Sequence, residues 1–191
     1  MVLPRSVSKL GEEITRSNNN TIEKLRTTSV YFSSQYINLY PTMSLQENIE
    51  YFSGGKLKQE DTVFEREYLL QYLKLDDIKN NLVESYSQGE RKRASILLGL
   101  LLSPKLLLID EPIAYLDELN QVKVISLLAD YVMSTQSSVV LVSHDLLTIL
   151  PNSRVLEIKN NKIVNDIIAT KDYCEDLKEQ FLSKKSIEIQ G

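Results

Sequence analysis

The sequence predicts an α/β protein with parallel central strands, and three observations carry that prediction. Leu106-Leu107-Leu108-Ile109 and Ser138-Val139-Val140-Leu141-Val142 are continuous apolar runs of strand length, the pattern of strands buried on both faces. A helical stretch from about Glu118 to Met133 separates them, giving strand–helix–strand alternation. Both runs end in polar, chemically able residues, Asp110-Glu111 and Ser143-His144-Asp145. In open parallel sheets, ligands sit at the carboxyl ends of the strands.

The other elements follow in order. Ser29-Val30-Tyr31-Phe32 is a short β-rich run that ends at Ser33-Ser34-Gln35. From Ser44 to Leu75 the apolar spacing is helical, through Leu45, Ile49 and Phe52 and again through Val63, Leu69, Leu70 and Leu73. Ser53-Gly54-Gly55 divides that stretch into two helices. A third helix starts at Ser87, opened by the capping-box pair Ser87 and Glu90, and stops near Leu102 before Ser103-Pro104. Val155–Ile158 and Lys162–Val164 flank Asn160-Asn161, a hairpin signal. The tail from Asp172 to about Ser183 reads as a polar amphipathic helix.

Composition narrows the function classes. The chain has 191 residues with 22 Lys+Arg against 26 Asp+Glu, a net charge of −4. At 42% hydrophobic and 25% charged it resembles an ordinary globular domain, which excludes a disordered, collagen-like or disulfide-framework chain. With no basic excess to neutralise phosphates, general nucleic-acid binding is not expected. The single cysteine, Cys174, and single histidine, His144, cannot build a bridge or a Cys/His metal cluster. Ile96 to Leu102 is the longest greasy run and is far shorter than the ~20 residues of a membrane span. Membrane association is therefore expected to come through a partner.

Asp110 at the end of a buried strand suits Mg²⁺, directly or through water, and Glu111 beside it suits a general base. An acidic turn after a strand is the plain alternative. His144 could donate to a phosphate, or be a surface residue at a strand end. Ser87-Gln88-Gly89-Glu90 is a self-capping helix start and equally a phosphate-accepting one. Gln35 could reach a metal or its water through its carbonyl oxygen.

Order and spacing raise these readings together. Gln35, Tyr86-Ser87-Gln88-Gly89-Glu90, Leu107-Leu108-Ile109-Asp110-Glu111-Pro112, Ala114-Tyr115-Leu116-Asp117 and Ser143-His144-Asp145 resemble the Q-loop, signature, Walker B, D-loop and switch histidine of ABC transporter nucleotide-binding domains. Leu39 to Asn48 and Arg91-Lys92-Arg93-Ala94 are similar to the family as well. The resemblance runs from about Gly11 to Val164. It implies a P-loop NTPase-like α/β fold with a helical subdomain, binding ATP and Mg²⁺. It implies that Gln35 and Asp110 serve Mg²⁺, that Glu111 is the catalytic base and that His144 senses the γ-phosphate. Ser87, Gln88 and Gly89 would face a nucleotide held by the opposite subunit, and Asp117 would work across the dimer interface. The implied partners are an integral membrane transporter subunit and a second nucleotide-binding domain in a homo- or heterodimer, with no nucleic acid. The implied location is cytoplasmic, peripheral on the inner face of the membrane. Tyr86-Ser87 followed by Arg91-Lys92-Arg93 looks most like the branch that exports drugs, peptides or antibiotics.

Some of the family pattern is missing. G-x-x-x-x-G-K-[ST] does not occur in the sequence. The only Gly-Lys pair, Gly55-Lys56, is followed by Leu57 and lies on the wrong side of Gln35. Gly11-Glu12-Glu13-Ile14 resembles the segment after the P-loop helix, so the loop is expected to fall before Met1. The chain then reads as a single incomplete, N-terminally truncated nucleotide-binding domain, 1–191. Its helical subdomain would lie at about 40–101, its catalytic core at about 1–39 and 102–165, and its tail at 166–191. Weak ATP binding at its own site is expected, because the missing backbone cradle and lysine are the main phosphate grip. Gln88 replaces a signature glycine, and Glu90 puts a carboxylate near an incoming phosphate. The alternative to an ATPase subunit is a non-catalytic chain that lends its signature and D-loop to a partner's site. A third possibility is a broken gene product whose exposed sheet edge invites aggregation.

Overall fold

The computed structural model describes residues 8–9, 12–13, 29–34, 38–55 and 63–177. Ser8–Lys9 (β1) and Glu12–Glu13 (β2) form a short antiparallel pair that the sequence pattern did not single out. The predicted parallel sheet consists of Val30–Ser33 (β3), Leu106–Asp110 (β4) and Ser138–Val142 (β5), in the order β3-β4-β5. Register is set by Phe32 opposite Leu108 and by Leu108 opposite Val140. The central strand is therefore the one that ends in Asp110.

Leu45–Ser53 (α1) begins with a full capping box from Ser44 and Glu47 and ends at Gly54 in the left-handed region, φ 60°. Arg66–Tyr72 (α2) is shorter than expected, and Val63 lies ahead of it, exposed. Gln88–Leu101 (α3) has Ser87 as its N-cap with the predicted box closed through Glu90. Glu118–Ser134 (α4) is capped by Asp117, whose side chain accepts from the Asn120 N–H. Arg154–Lys159 (β6) and Lys162–Ile168 (β7) make the predicted hairpin. Its turn residues Asn160 and Asn161 both have positive φ, 50° and 59°, as a two-residue primed turn requires. The expected tail helix is present over 171–177, and its remainder lies outside the described residues. Cys174 is buried.

The core centres on α3, whose residues Ala94 to Leu101 are all buried. A helix apolar on every side is an interior helix. Its close contact with the sheet is at Gly99, where a Cβ would lie 2.7 Å from the Tyr31 ring and 3.1 Å from Leu107. Below that contact the Tyr31 hydroxyl donates to the Ser95 carbonyl at 3.0 Å, and the Ser33 and Ser95 hydroxyls lie 2.9 Å apart. Burial pushes the Tyr31 phenol up to about 12, so it stays a donor at any physiological pH.

The expectation that both apolar runs are buried on two faces is corrected. Tyr31, Ser33, Leu107 and Ile109 are buried on one face of the sheet. On the other face Phe32 is 50% exposed, Val140 47% and Val142 61%. A continuous apolar run states that both faces can be covered, not that they are. Here α3 packs on one face, and the described residues leave the other open.

Gly99→Val places a branched side chain against the Tyr31 ring. It should lower stability by roughly 1–3 kcal/mol, read as a lower denaturant midpoint with an unchanged slope.

Candidate functional site

The central strand delivers Asp110 to the carboxyl edge of the sheet, and the chain then turns sharply at Glu111, φ 50°. That left-handed conformation is uncommon for a residue with a Cβ. It is held by the Glu111 N–H, which donates to the Val142 carbonyl at 2.7 Å, so the end of β5 fixes the turn after β4. The Asp110 side chain makes no hydrogen bond among the described residues.

Directly after β5, Ser143 and His144 converge on the Glu111 carboxylate. The Ser143 hydroxyl donates to Oε2 at 3.2 Å, and His144 Nδ1 lies 2.8 Å from Oε1. Ser143 Oγ also accepts from the Asp145 N–H at 3.0 Å, which settles its rotor to donate toward Glu111. The Glu111 side chain is 19% exposed and the His144 side chain 86%, so the carboxylate sits inside and the imidazole at the rim. The hydrogen bond that His144 donates to the Glu111 carboxylate, and the charge of that carboxylate, hold the His144 pKa above the ordinary histidine value. Ser143 had no role in the sequence reading; its position one residue before His144, at a strand end, was the available signal.

A second group forms around the start of α3. Ser87 and Gln88 are exposed, while Gly89 is buried beneath the turn that leads into α4. A Cβ at Gly89 would stand 2.7 Å from the Tyr115 carbonyl oxygen, so glycine is required there. The Ser87 N–H donates to Glu90 Oε2 at 2.7 Å and Ser87 Oγ accepts from the Glu90 N–H at 3.2 Å. Hydrogen bonds from the Ser87 side chain and backbone hold the Glu90 carboxyl below its usual range, and the capping box occupies one of the helix-start N–H groups that a phosphate would otherwise use. Asp117 is exposed on the same turn and accepts from the Asn120 N–H at 2.8 Å, which lowers its pKa. Gln35 lies outside the described residues.

The basic run Arg91-Lys92-Arg93 is used internally. Arg91 donates to the carbonyls of Tyr86 and Glu84 at 2.8 and 2.7 Å, and Arg93 to that of Leu73 at 2.8 Å. Lys92 is buried, and its Nζ donates to the Asp110 carbonyl at 2.6 Å. Burial pushes the Lys92 ammonium down to about 8, against the opposing pull of Asp110 and Glu111. The sequence reading missed Lys92. Its signal was a lysine on the helix stripe that continues through Ser95, Ile96 and Gly99, the buried side of α3.

The described site thus consists of a carboxylate pair at a strand end, a serine–histidine grip on one of them and a capped helix start facing outward. The family model described as "ABC transporter" matches residues 5–114, more than half of the chain. The chain belongs to the ABC transporter family. Among its relatives, the lipoprotein-releasing system ATP-binding protein LolD of Aquifex aeolicus is 32% identical over 160 residues, 82% of this chain and 70% of that protein. The probable ABC transporter ATP-binding protein p29 of Mycoplasma genitalium is 33% identical over 57% of this chain, which spans 45% of its length. The macrolide export ATP-binding/permease protein MacB of Campylobacter jejuni is 30% identical over 81% of this chain, which spans 24% of its length. The fold is that of an ATP-binding cassette. A dimeric post-hydrolysis structure of the cassette MJ0796 bound to ADP and Pi superposes with TM-score 0.72 at 21% identity, over 84% of this chain and 71% of that one. No helix among the described residues is long and apolar enough to cross a membrane.

This ABC chain has one histidine, so its imidazole signals are unambiguous in an NMR titration. His144 should titrate above the ordinary value near 6.5, and Glu111→Gln should bring it down. The folded-state pKa is raised, so the contribution of this contact to stability is present in full below about 6.5 and is lost as pH rises through the folded value. A His144 pKa that does not respond to Glu111→Gln would show that the contact is not made in solution.

Proposed function

We propose that this chain is the ATP-binding subunit of an ABC transporter, acting as a head-to-tail dimer on an integral membrane partner and coupling ATP hydrolysis to transport. Membership of the family and the names of its relatives support that reading. The observation that carries it is the Glu111 carboxylate, gripped by Ser143 and His144 beside Asp110 at the end of the central strand.

In this reading Mg²⁺ arrives with the nucleotide. It would be held, as that ion usually is, by one or two carboxylates together with phosphate oxygens. The side chains present fit such a role: no cluster of three metal-binding side chains occurs among the described residues, and Asp110 offers a single carboxylate. Asp110 and Gln35 would hold the ion, whose charge would offset the negative charge developing on the phosphates. Glu111 orients and deprotonates the attacking water, with Ser143 and His144 fixing its two oxygens. His144, exposed at the rim, would meet a γ-phosphate. Ser87, Gln88 and Gly89 at the start of α3, with Asp117 at the cap of α4, face the nucleotide of the opposite subunit. Residues 40–101 serve as the helical subdomain that meets the membrane partner, with the core at 1–39 and 102–165 and the tail at 166–191. The export branch, a cytoplasmic position and membrane attachment through the partner complete the proposal.

G-x-x-x-x-G-K-[ST] does not occur in the 191 residues, so ATP binding by this chain alone should be weak. Steady-state assays of the purified chain at high Mg²⁺-ATP should show hydrolysis that falls about 10²–10⁴-fold in Glu111→Gln, the span of general-base contributions. A rate that ignores Glu111→Gln sinks the reading. If the chain is inactive but stimulates an intact cassette in a manner abolished by Ser87→Arg, it lends its signature instead.

A further inference from the structure

The peptide group between Asp110 and Glu111 is held at both of its polar atoms. The Asp110 carbonyl accepts from the buried Lys92 ammonium at 2.6 Å, and the Glu111 N–H donates to the Val142 carbonyl at 2.7 Å. These two partners belong to different elements, α3 on one side and β5 on the other. A peptide plane fixed at both ends cannot rotate, and its orientation sets the entry into the left-handed turn at Glu111. We propose that Lys92 is a positioning residue for Glu111, holding the Asp110–Glu111 peptide so that the carboxylate meets Ser143 and His144.

Placing a cation there is costly unless it makes a bond that nothing else can make. A buried ammonium gives up much of its hydration, yet among the described residues the Lys92 Nζ bonds a backbone carbonyl and forms no ion pair. A neutral donor would satisfy the carbonyl at lower desolvation cost. The carboxylates of Asp110 and Glu111 act on this ammonium in turn, favouring its charged form. Its neighbours Arg91 and Arg93 tie α3 to the carbonyls of Tyr86, Glu84 and Leu73, and among the described residues Lys92 supplies the hydrogen bond from this helix to the end of β4. The start of α3 and the Glu111 turn are thereby joined through one side chain.

The clamp bears on catalysis only through the reading of Glu111 as general base, so its test uses neither nucleotide nor turnover. The readout is the His144 titration in metal-free wild-type, Lys92→Met and Lys92→Arg chains, followed by NMR. The charged groups facing that imidazole are Glu111 and Asp145. Removing a cation near Glu111 would, by electrostatics alone, raise the His144 pKa. Losing the clamp lets Glu111 leave the imidazole and lowers it. The proposal expects a downward shift in Lys92→Met, a near-wild-type value in Lys92→Arg, and no downward shift when Lys92→Met is made in a Glu111→Gln background. An unchanged or raised His144 pKa in Lys92→Met overturns it. Should Lys92→Met fail to fold by circular dichroism, Lys92→Leu, which likewise carries no donor, gives the same comparison with the same required direction. The hydrolysis assay can fail while this shift is seen, or succeed while it is absent.

Discussion

The packing of α3 against the sheet brings the helix start at Ser87–Gly89 and the end of the central strand into one fixed relation. That helix is buried along its whole second half, and it approaches β3 so closely at Gly99 that no side chain fits between them. Tyr31, Ser33 and Ser95 then supply hydrogen bonds across the contact, which fix the sliding and rotation that apolar packing leaves loose. With α3 fixed, its capped start presents Ser87 and Gln88 outward and drives Gly89 under the turn before α4. Lys92, one turn further along, reaches the end of the central strand.

The chemistry at that strand end depends on balancing opposed costs. Glu111 adopts a left-handed backbone conformation, a strain of order 1–3 kcal/mol, and its carboxylate is largely removed from water. The Val142 carbonyl, Ser143 and His144 offset those costs with directed bonds, all drawn from β5 and the residues after it. The acceptor is thus held by one strand while the side chain it belongs to begins on the neighbouring one. Such a site is set by sheet register: sliding β5 by one residue would exchange Ser143 for another partner and reverse the faces of the strand.

The open face of the sheet has its own physical meaning. Phe32, Val140 and Val142 on the sheet, with Ile158, Ile163 and Ile168 on the hairpin, leave large apolar side chains in water. On the sheet, Phe32, Val140 and Val142 share the face opposite the one that α3 covers. β5 is the edge of the three-stranded sheet among the described residues, and hairpin β6–β7 forms a separate two-stranded sheet beyond it. Relatives of the family are longer than this chain, which spans 45% of p29 and 70% of LolD.

Local chemistry made much of this legible from residues alone. The capping box at Ser87, the Asn160-Asn161 turn and the α/β alternation are short-range features, decided by backbone geometry within a few residues, and each forms where the sequence places it. The motif order likewise identified the family, because five short patterns in one sequence order leave little freedom. What the residues could not state was which partners meet across the fold. Apolar runs carry no record of whether both faces find cover, so β5 read as buried and is half open. Lys92 read as part of a basic run, and Ser143 as a flank of His144, until tertiary packing brought α3, β4 and β5 to one point. Hydrogen bonds between residues 18, 32 and 33 positions apart depend on how helices and strands stack, and sequence periodicity describes each element only by itself.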